Sequence, residues 1–135
     1  MTTQRILIVD DELHIRSVIR IKLEGAGFGV TECTNGGRAL DSIIKTKPDM
    51  IITDHEMPGE FNGLDMIRKV RDRERGMKQS ADDCTPILMI TGSVAIMEKI
   101  EKQVYEFPRV KIMSKPFSPR NLLKLVKEEL SAACP

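Results

Sequence analysis

The sequence predicts an α/β fold, a parallel sheet with helices packed on both faces. Short, uninterrupted apolar runs recur along the chain, and each is followed by a segment of helical spacing. Strands of a parallel sheet are buried on both faces and read as continuous apolar runs, and strand–helix alternation is the order such a sheet needs. The polar residues that could do chemistry gather just after the apolar runs.

In chain order, the first run is Ile6-Leu7-Ile8-Val9, followed by a helix on which Ile15, Val18, Ile19 and Leu23 share a face. Gly29 to Cys33 is a weaker second strand. The segment before it, Gly25-Ala26-Gly27-Phe28-Gly29, is similar to a glycine-rich dinucleotide loop. A true one follows a strand and opens a helix, whereas this one follows a helix and opens a strand, so it reads as a helix C-terminal turn. Ala39, Ile43 and Ile44 mark the buried face of the second helix. Met50-Ile51-Ile52 is the third strand, and Ile67 with Val70 the face of the third helix. Ile87-Leu88-Met89-Ile90 is the fourth strand, with Ile96, Ile100 and Val104 on the helix after it. Val110 to Met113 is the fifth, and Leu122, Val126 and Leu130 line the last helix. Ser118 suits the cap of that helix, Pro119 its first position, and Phe117 a staple onto Leu122. The stretch from Arg71 to Thr85 opens with the charge run Arg71-Asp72-Arg73-Glu74-Arg75 and reads as a solvated helix end followed by a long loop.

Bulk properties narrow the function. The 135 residues suit one domain, 1–135, without repeats, low-complexity tracts or linkers. A net charge of +1 sets up no field for nucleic acid or an anionic membrane, and with no Trp and one Tyr there is no stacking platform. The three cysteines, Cys33, Cys84 and Cys134, have neither a metal-binding spacing nor an even count, which fits a reducing compartment. No apolar run approaches the roughly 20 residues of a membrane span and no signal-peptide layout opens the chain, so a cytoplasmic location and no membrane insertion are expected.

The chemistry lies at the strand ends. The first strand ends in Asp10-Asp11, the third in Thr53-Asp54, the fourth in Thr91, and the fifth runs into Ser114-Lys115-Pro116. In an open α/β sheet the crevice outside the carboxyl ends of the strands is where ligands bind. Taken singly, Asp11 reads as a helix N-cap, Thr91 as a turn residue and Lys115 as a surface charge. Together, three carboxylates repel one another and one lysine does not balance them, so a cation is called for. Oxygen-only ligands favour a hard ion such as Mg²⁺. His55 and His14 read as exposed and non-catalytic, and Met57, Met66, Met89, Met97 and Met113 as packing residues.

The motifs Ile8-Val9-Asp10-Asp11-Glu12, Thr53-Asp54-His55-Glu56-Met57-Pro58 with Asn62-Gly63, Ile90-Thr91-Gly92 and Lys115-Pro116-Phe117, all in order, resemble the receiver domain of two-component response regulators, in its single-domain, chemotaxis-regulator-like form. The resemblance covers nearly the whole chain. It implies a flavodoxin-like, doubly wound (βα)5 fold with a five-stranded parallel sheet in the order 2-1-3-4-5. It makes Asp54 the phosphoacceptor. Mg²⁺ is then held by Asp10, Asp11, Asp54 and the Glu56 backbone carbonyl, Thr91 and Lys115 hold the phosphoryl oxygens, and Lys115–Pro116 is cis. The implied donor is a sensor histidine kinase or a histidine phosphotransfer protein. The implied output is a conformational change read by a downstream protein partner, with no direct nucleic-acid contact expected; the last helix, the fifth strand and the helix before it could also form a homodimer face. The chain is then a signalling switch that assists its own phosphoryl transfer and dephosphorylation rather than an enzyme. No output domain follows the last helix, so a stand-alone switch is expected; the alternatives are a receiver cut from a longer regulator or hybrid kinase, and a non-phosphorylated scaffold of the same fold. The sequence departs from the family pattern at Ile112, where Tyr or Phe is usual, and in longer connections at Pro58–Gly63 and Arg71–Thr85.

Overall fold

A computed structural model describes residues 3–56, 62–77 and 83–132. Five strands, β1 (Arg5–Val9), β2 (Gly29–Cys33), β3 (Met50–Asp54), β4 (Ile87–Thr91) and β5 (Val110–Ser114), alternate with five helices, α1 (Leu13–Gly25), α2 (Gly36–Thr46), α3 (Gly63–Gly76), α4 (Val94–Val104) and α5 (Pro119–Ala132). All neighbouring strands are parallel, in the flavodoxin-like order β2-β1-β3-β4-β5. The chain winds outward from β1 in both directions, and this switch point opens a crevice at the carboxyl ends of β1 and β3.

Successive strand residues point to opposite faces, and two apolar layers result. Leu7, Val9, Ile51, Ile87 and Met89 pack with Ala39, Ile67, Val70 and Val104 of α2, α3 and α4. Ile6, Ile8, Ile52, Leu88 and Ile90 pack with Ile19, Leu23, Leu122, Val126 and Leu130 of α1 and α5. Each fully buried Leu or Ile contributes about 1.5–3 kcal/mol relative to exposure, so the sheet supplies a rigid base for the loops at its carboxyl edge. Among the described residues no helix is long and apolar enough to cross a membrane.

Local signals fix the helix ends. Asn62 accepts from the Asp65 backbone N–H at 3.0 Å and Asp65 accepts from that of Asn62 at 3.0 Å, a reciprocal capping box that starts α3. Ser93 accepts from the Ile96 N–H at 3.2 Å, and Ser118 from that of Asn121 at 3.3 Å, as expected for α5. The glycine-rich segment is a helix C-terminal turn: Gly27 has φ +97°, and the Phe28 N–H donates to the Leu23 carbonyl at 3.1 Å.

Three expectations and one alternative reading need correction. Asp11 does not cap α1; Glu12 holds the N-cap position without a side-chain cap bond, and the Glu12 N–H donates to Asp10 Oδ1 at 2.8 Å. Ile44 is 47% exposed, so it lies off the buried face that its spacing from Ala39 suggested. His55 is nearly buried, and its Nδ1 lies 3.2 Å from Glu56 Oε1. The charge run in α3 is not uniformly solvated either. Arg71 and Glu74 share the buried face of Ile67 and Val70, and the guanidinium is satisfied by the Glu74 carboxylate and by the carbonyls of Thr85 and Pro108. Met57, residues 58–61 of the first connection expected to be longer, residues 78–82 of the second, and Cys134 all lie outside the described residues.

Candidate functional site

Strand register places the polar residues. Val9 pairs with Thr53, so Asp10 emerges beside the Thr53–Asp54 end of β3. Asp54 pairs with Ile90, which puts Thr91 one step further along β4, and Thr91 pairs with Ser114, after which Lys115 follows. Backbone bonds continue the ladder past the strand ends: Asp10 N–H to the Cys33 carbonyl at 3.1 Å, His55 N–H to Ile90 at 2.8 Å, and Lys115 N–H to Thr91 at 2.8 Å. The Lys115–Pro116 peptide is cis. Gly63 lets α3 start against this edge, since a Cβ there would meet the Asp54 carbonyl oxygen at 2.4 Å.

Asp10, Asp54 and Thr91 are buried at the floor of the crevice, while Asp11 and Glu12 are exposed at its rim. Lys115 Nζ stands 3.5 Å from Asp54 Oδ2, and Asp54 Oδ1 is buried without a hydrogen-bond partner among the described residues. Burial first, and the neighbouring Asp10 second, push the Asp54 carboxyl up to about 7, against the pull of Lys115. Burial likewise raises Asp10, opposed by the Glu12 N–H and by Lys115. Burial alone would lower Lys115, yet the carboxylates of Asp54, Asp10 and Glu12 hold it above its ordinary value. One ammonium therefore does not offset the buried acids.

A hard cation fits this donor set. Carboxylate oxygens of Asp10, Asp11 and Glu12 come within 4.8 Å of one another, and the unpartnered Asp54 oxygen adds a buried acceptor with no other use. Glu12 went unassigned in the sequence reading, although its place directly after Asp10-Asp11 was its signal.

The other expected residues stand around this centre. The Thr91 hydroxyl donates to the Ser93 carbonyl at 3.1 Å. The Glu56 carboxylate accepts from the Gly92 N–H at 3.3 Å, bridging the connections after β3 and β4. Partial burial would raise Glu56, but the bonds from His55 and Gly92 carry it lower. Ile112 packs against the α2–α4 layer together with Phe107 and Ile100, whereas Tyr105, at the end of α4, is 60% exposed.

The pattern of the response regulator receiver domain matches residues 6–127. The phosphate regulon transcriptional regulatory protein PhoB of Pseudomonas aeruginosa is 35% identical over the whole chain, which spans 55% of that protein. The transcriptional regulatory protein ResD of Bacillus subtilis is 32% identical over 96% of the chain, which spans 49% of it. The chain thus covers about half the length of these curated relatives. Among solved structures, the chemotaxis response regulator CheY4 of Vibrio cholerae superposes with a TM-score of 0.79 at 30% identity, covering 95% of this chain and 99% of that one. A response regulator structure from Chloroflexus aurantiacus gives 0.80 at 31% identity, covering 96% and 99%. Fold, acidic crevice and relatives together define a receiver module of two-component signal transduction. The chain belongs to the response regulator receiver domain family, whose members are signalling modules that partner with histidine kinases and typically depend on Mg²⁺.

Proposed function

We propose that this receiver is a phosphorylation switch in which Asp54 accepts a phosphoryl group from a phosphohistidine of a kinase or phosphotransfer protein. The observation that carries this reading is Asp54 itself. It is a buried carboxylate with one oxygen beside Lys115 at 3.5 Å and the other unpartnered, at the carboxyl edge of a parallel sheet. An ionised carboxylate is already a nucleophile and needs no general base. An Asp54 oxygen forms the new P–O bond, the donor P–N bond breaks, and the donor imidazole keeps the electron pair and takes up a proton.

Lys115, 3.5 Å from Asp54, and Thr91, at the end of β4, would meet the charge on the transferred group, and a preorganised donor set of this kind is what phosphoryl transfer needs. Asp10, Asp11, Asp54 and the Glu56 carbonyl would hold Mg²⁺, with Glu12 at the rim. Bound there, Mg²⁺ would neutralise phosphate oxygens and keep Asp54 ionised at neutral pH. The acyl phosphate carries more negative charge than the carboxylate it replaces, and that change draws in Thr91 and biases the segment from Thr91 through α4 to β5. Output goes to a protein partner, either from a stand-alone switch or from the receiver part of a longer regulator.

The test is to incubate the protein with a small acyl phosphate and Mg²⁺ beside Asp54→Asn. The expected result is one acid-stable, base-labile phosphoryl group on the native chain only. No uptake at any Mg²⁺ concentration overturns the switch and favours a non-phosphorylated scaffold.

A further inference from the structure

Asp10 is held by three bonds of different origin. Its N–H donates to the Cys33 carbonyl at 3.1 Å, at the end of β2, and its Oδ1 accepts from the Glu12 N–H at 2.8 Å. Its carbonyl accepts from Arg16 Nη1, one turn into α1, at 2.7 Å. Arg16 is in turn fixed by its Nε, which donates to Glu32 Oε1 on β2 at 3.2 Å. The other oxygen of Glu32 is taken by Arg20, which also pairs with Glu24. Arg16 is only 12% exposed, so it is not a loose surface charge.

We infer that Arg16 is a positioning residue for the cation site, an inference that rests on the Mg²⁺ reading above. The peptide units before and after Asp10 are tied to β2 directly and through Arg16–Glu32. With both fixed, the Asp10 carboxylate and the adjacent Asp11 have little freedom to turn away from the crevice when mutual repulsion favours it. The role needs arginine, because the planar guanidinium presents N–H groups in two directions at once and an ammonium does not. A pair that merely decorated a helix would have no reason to spend a nearly buried guanidinium on the backbone carbonyl of a buried acid. Groups that orient ligands in this way typically matter 10–100-fold for metal affinity.

The experiment is a Mg²⁺ titration followed by backbone amide NMR shifts, on the native chain, Arg16→Met, Arg16→Lys and Glu32→Gln, with urea unfolding in chelator alongside. Arg16→Met is expected to weaken Mg²⁺ binding by about tenfold while folded, with Arg16→Lys between it and the native chain. A merely structural arginine would lower the unfolding midpoint and leave the dissociation constant of the folded protein unchanged, and that result overturns the inference. If Arg16→Met does not fold, Glu32→Gln decides: weaker Mg²⁺ binding supports the role and an unchanged constant overturns it. No Mg²⁺ binding by the native chain removes the metal site and this inference with it, whereas equal binding by native and folded Arg16→Met removes this inference alone.

Discussion

Lys115 Nζ lies 3.5 Å from Asp54 Oδ2, while Oδ1 of the same carboxylate is buried without a partner among the described residues. Half of the Asp54 charge is thus answered within the protein and half is not, so ionised Asp54 costs stability until a cation arrives. Its carboxyl is raised to about 7 from an ordinary 3.8. The folded protein therefore holds this proton more tightly than the unfolded chain does. The contribution favours folding below about pH 4, is lost as pH rises through about 7, and is absent above. In chelator at pH 8, Asp54→Asn is expected to be more stable than the native chain by about 1–3 kcal/mol. The gap should shrink toward pH 4 and also on adding Mg²⁺. Urea unfolding at the two pH values checks it, and a variant no more stable than the native chain at pH 8 rules out an unanswered charge.

Lys115 links Asp54 to the end of β4, since its N–H donates to the Thr91 carbonyl at 2.8 Å while its ammonium faces Asp54, and this is the path by which the proposed switch would reach the segment from Thr91 to β5. Lys115→Ala is expected to take up phosphoryl groups but to lose the response. Phosphorylated native protein should change its amide hydrogen exchange across residues 91–115, and the phosphorylated variant should not. Equal changes in both would show that Lys115 does not couple the two.

Gly63 sits hard against backbone. A Cβ there would meet the Asp54 carbonyl oxygen at 2.4 Å and His55 Cα at 3.0 Å, both backbone atoms that a rotamer change cannot move aside. Gly63→Ala is expected to cost about 2–3 kcal/mol and to shift Asp54. The control is Gly76→Ala at the other end of α3, where a Cβ meets nothing within 4 Å and the change should be within about 0.5 kcal/mol of neutral. Denaturant midpoints of the two variants decide, and similar values would contradict the close approach.

These residues also mark what a sequence can reveal. The five strands were legible because strands buried on both faces leave unbroken apolar runs. Asp10, Asp54, Thr91 and Lys115 could be grouped because parallel topology alone brings strand ends together. Arg16 was not legible, since it acts through a backbone carbonyl, and Gly63 stood in a motif without its reason, since it acts through a missing atom. Ile44 misled because its spacing from Ala39 suggested a buried face that it lies off. Arg71 and Glu74 misled most, as an i, i+3 pair looks the same on a solvated face as on a buried one. The groups that admit Arg71 to the interior are the carbonyls of Thr85 and Pro108, 14 and 37 residues away.

That pair yields the sharpest stability prediction. Arg71 Nη1 donates to Glu74 Oε1 at 2.6 Å, and Nη2 donates to the carbonyls of Thr85 at 2.7 Å and Pro108 at 2.8 Å. Glu74 Oε2 accepts from the Thr85 N–H at 2.8 Å. Two charges thus tie α3 to the connections entering β4 and β5, at the end of the sheet away from Asp54. Removing one partner strands the other in the interior, so Arg71→Met is expected to cost about 3–5 kcal/mol. Removing both charges eliminates that penalty, and only the bonds to Thr85 and Pro108 stay lost. The double variant Arg71→Met with Glu74→Leu should therefore be less destabilised than the sum of the two single changes, with a coupling of about 1–3 kcal/mol. Urea unfolding of the four proteins measures it. Strict additivity would mean that the pair is held by its backbone partners and not by its charge.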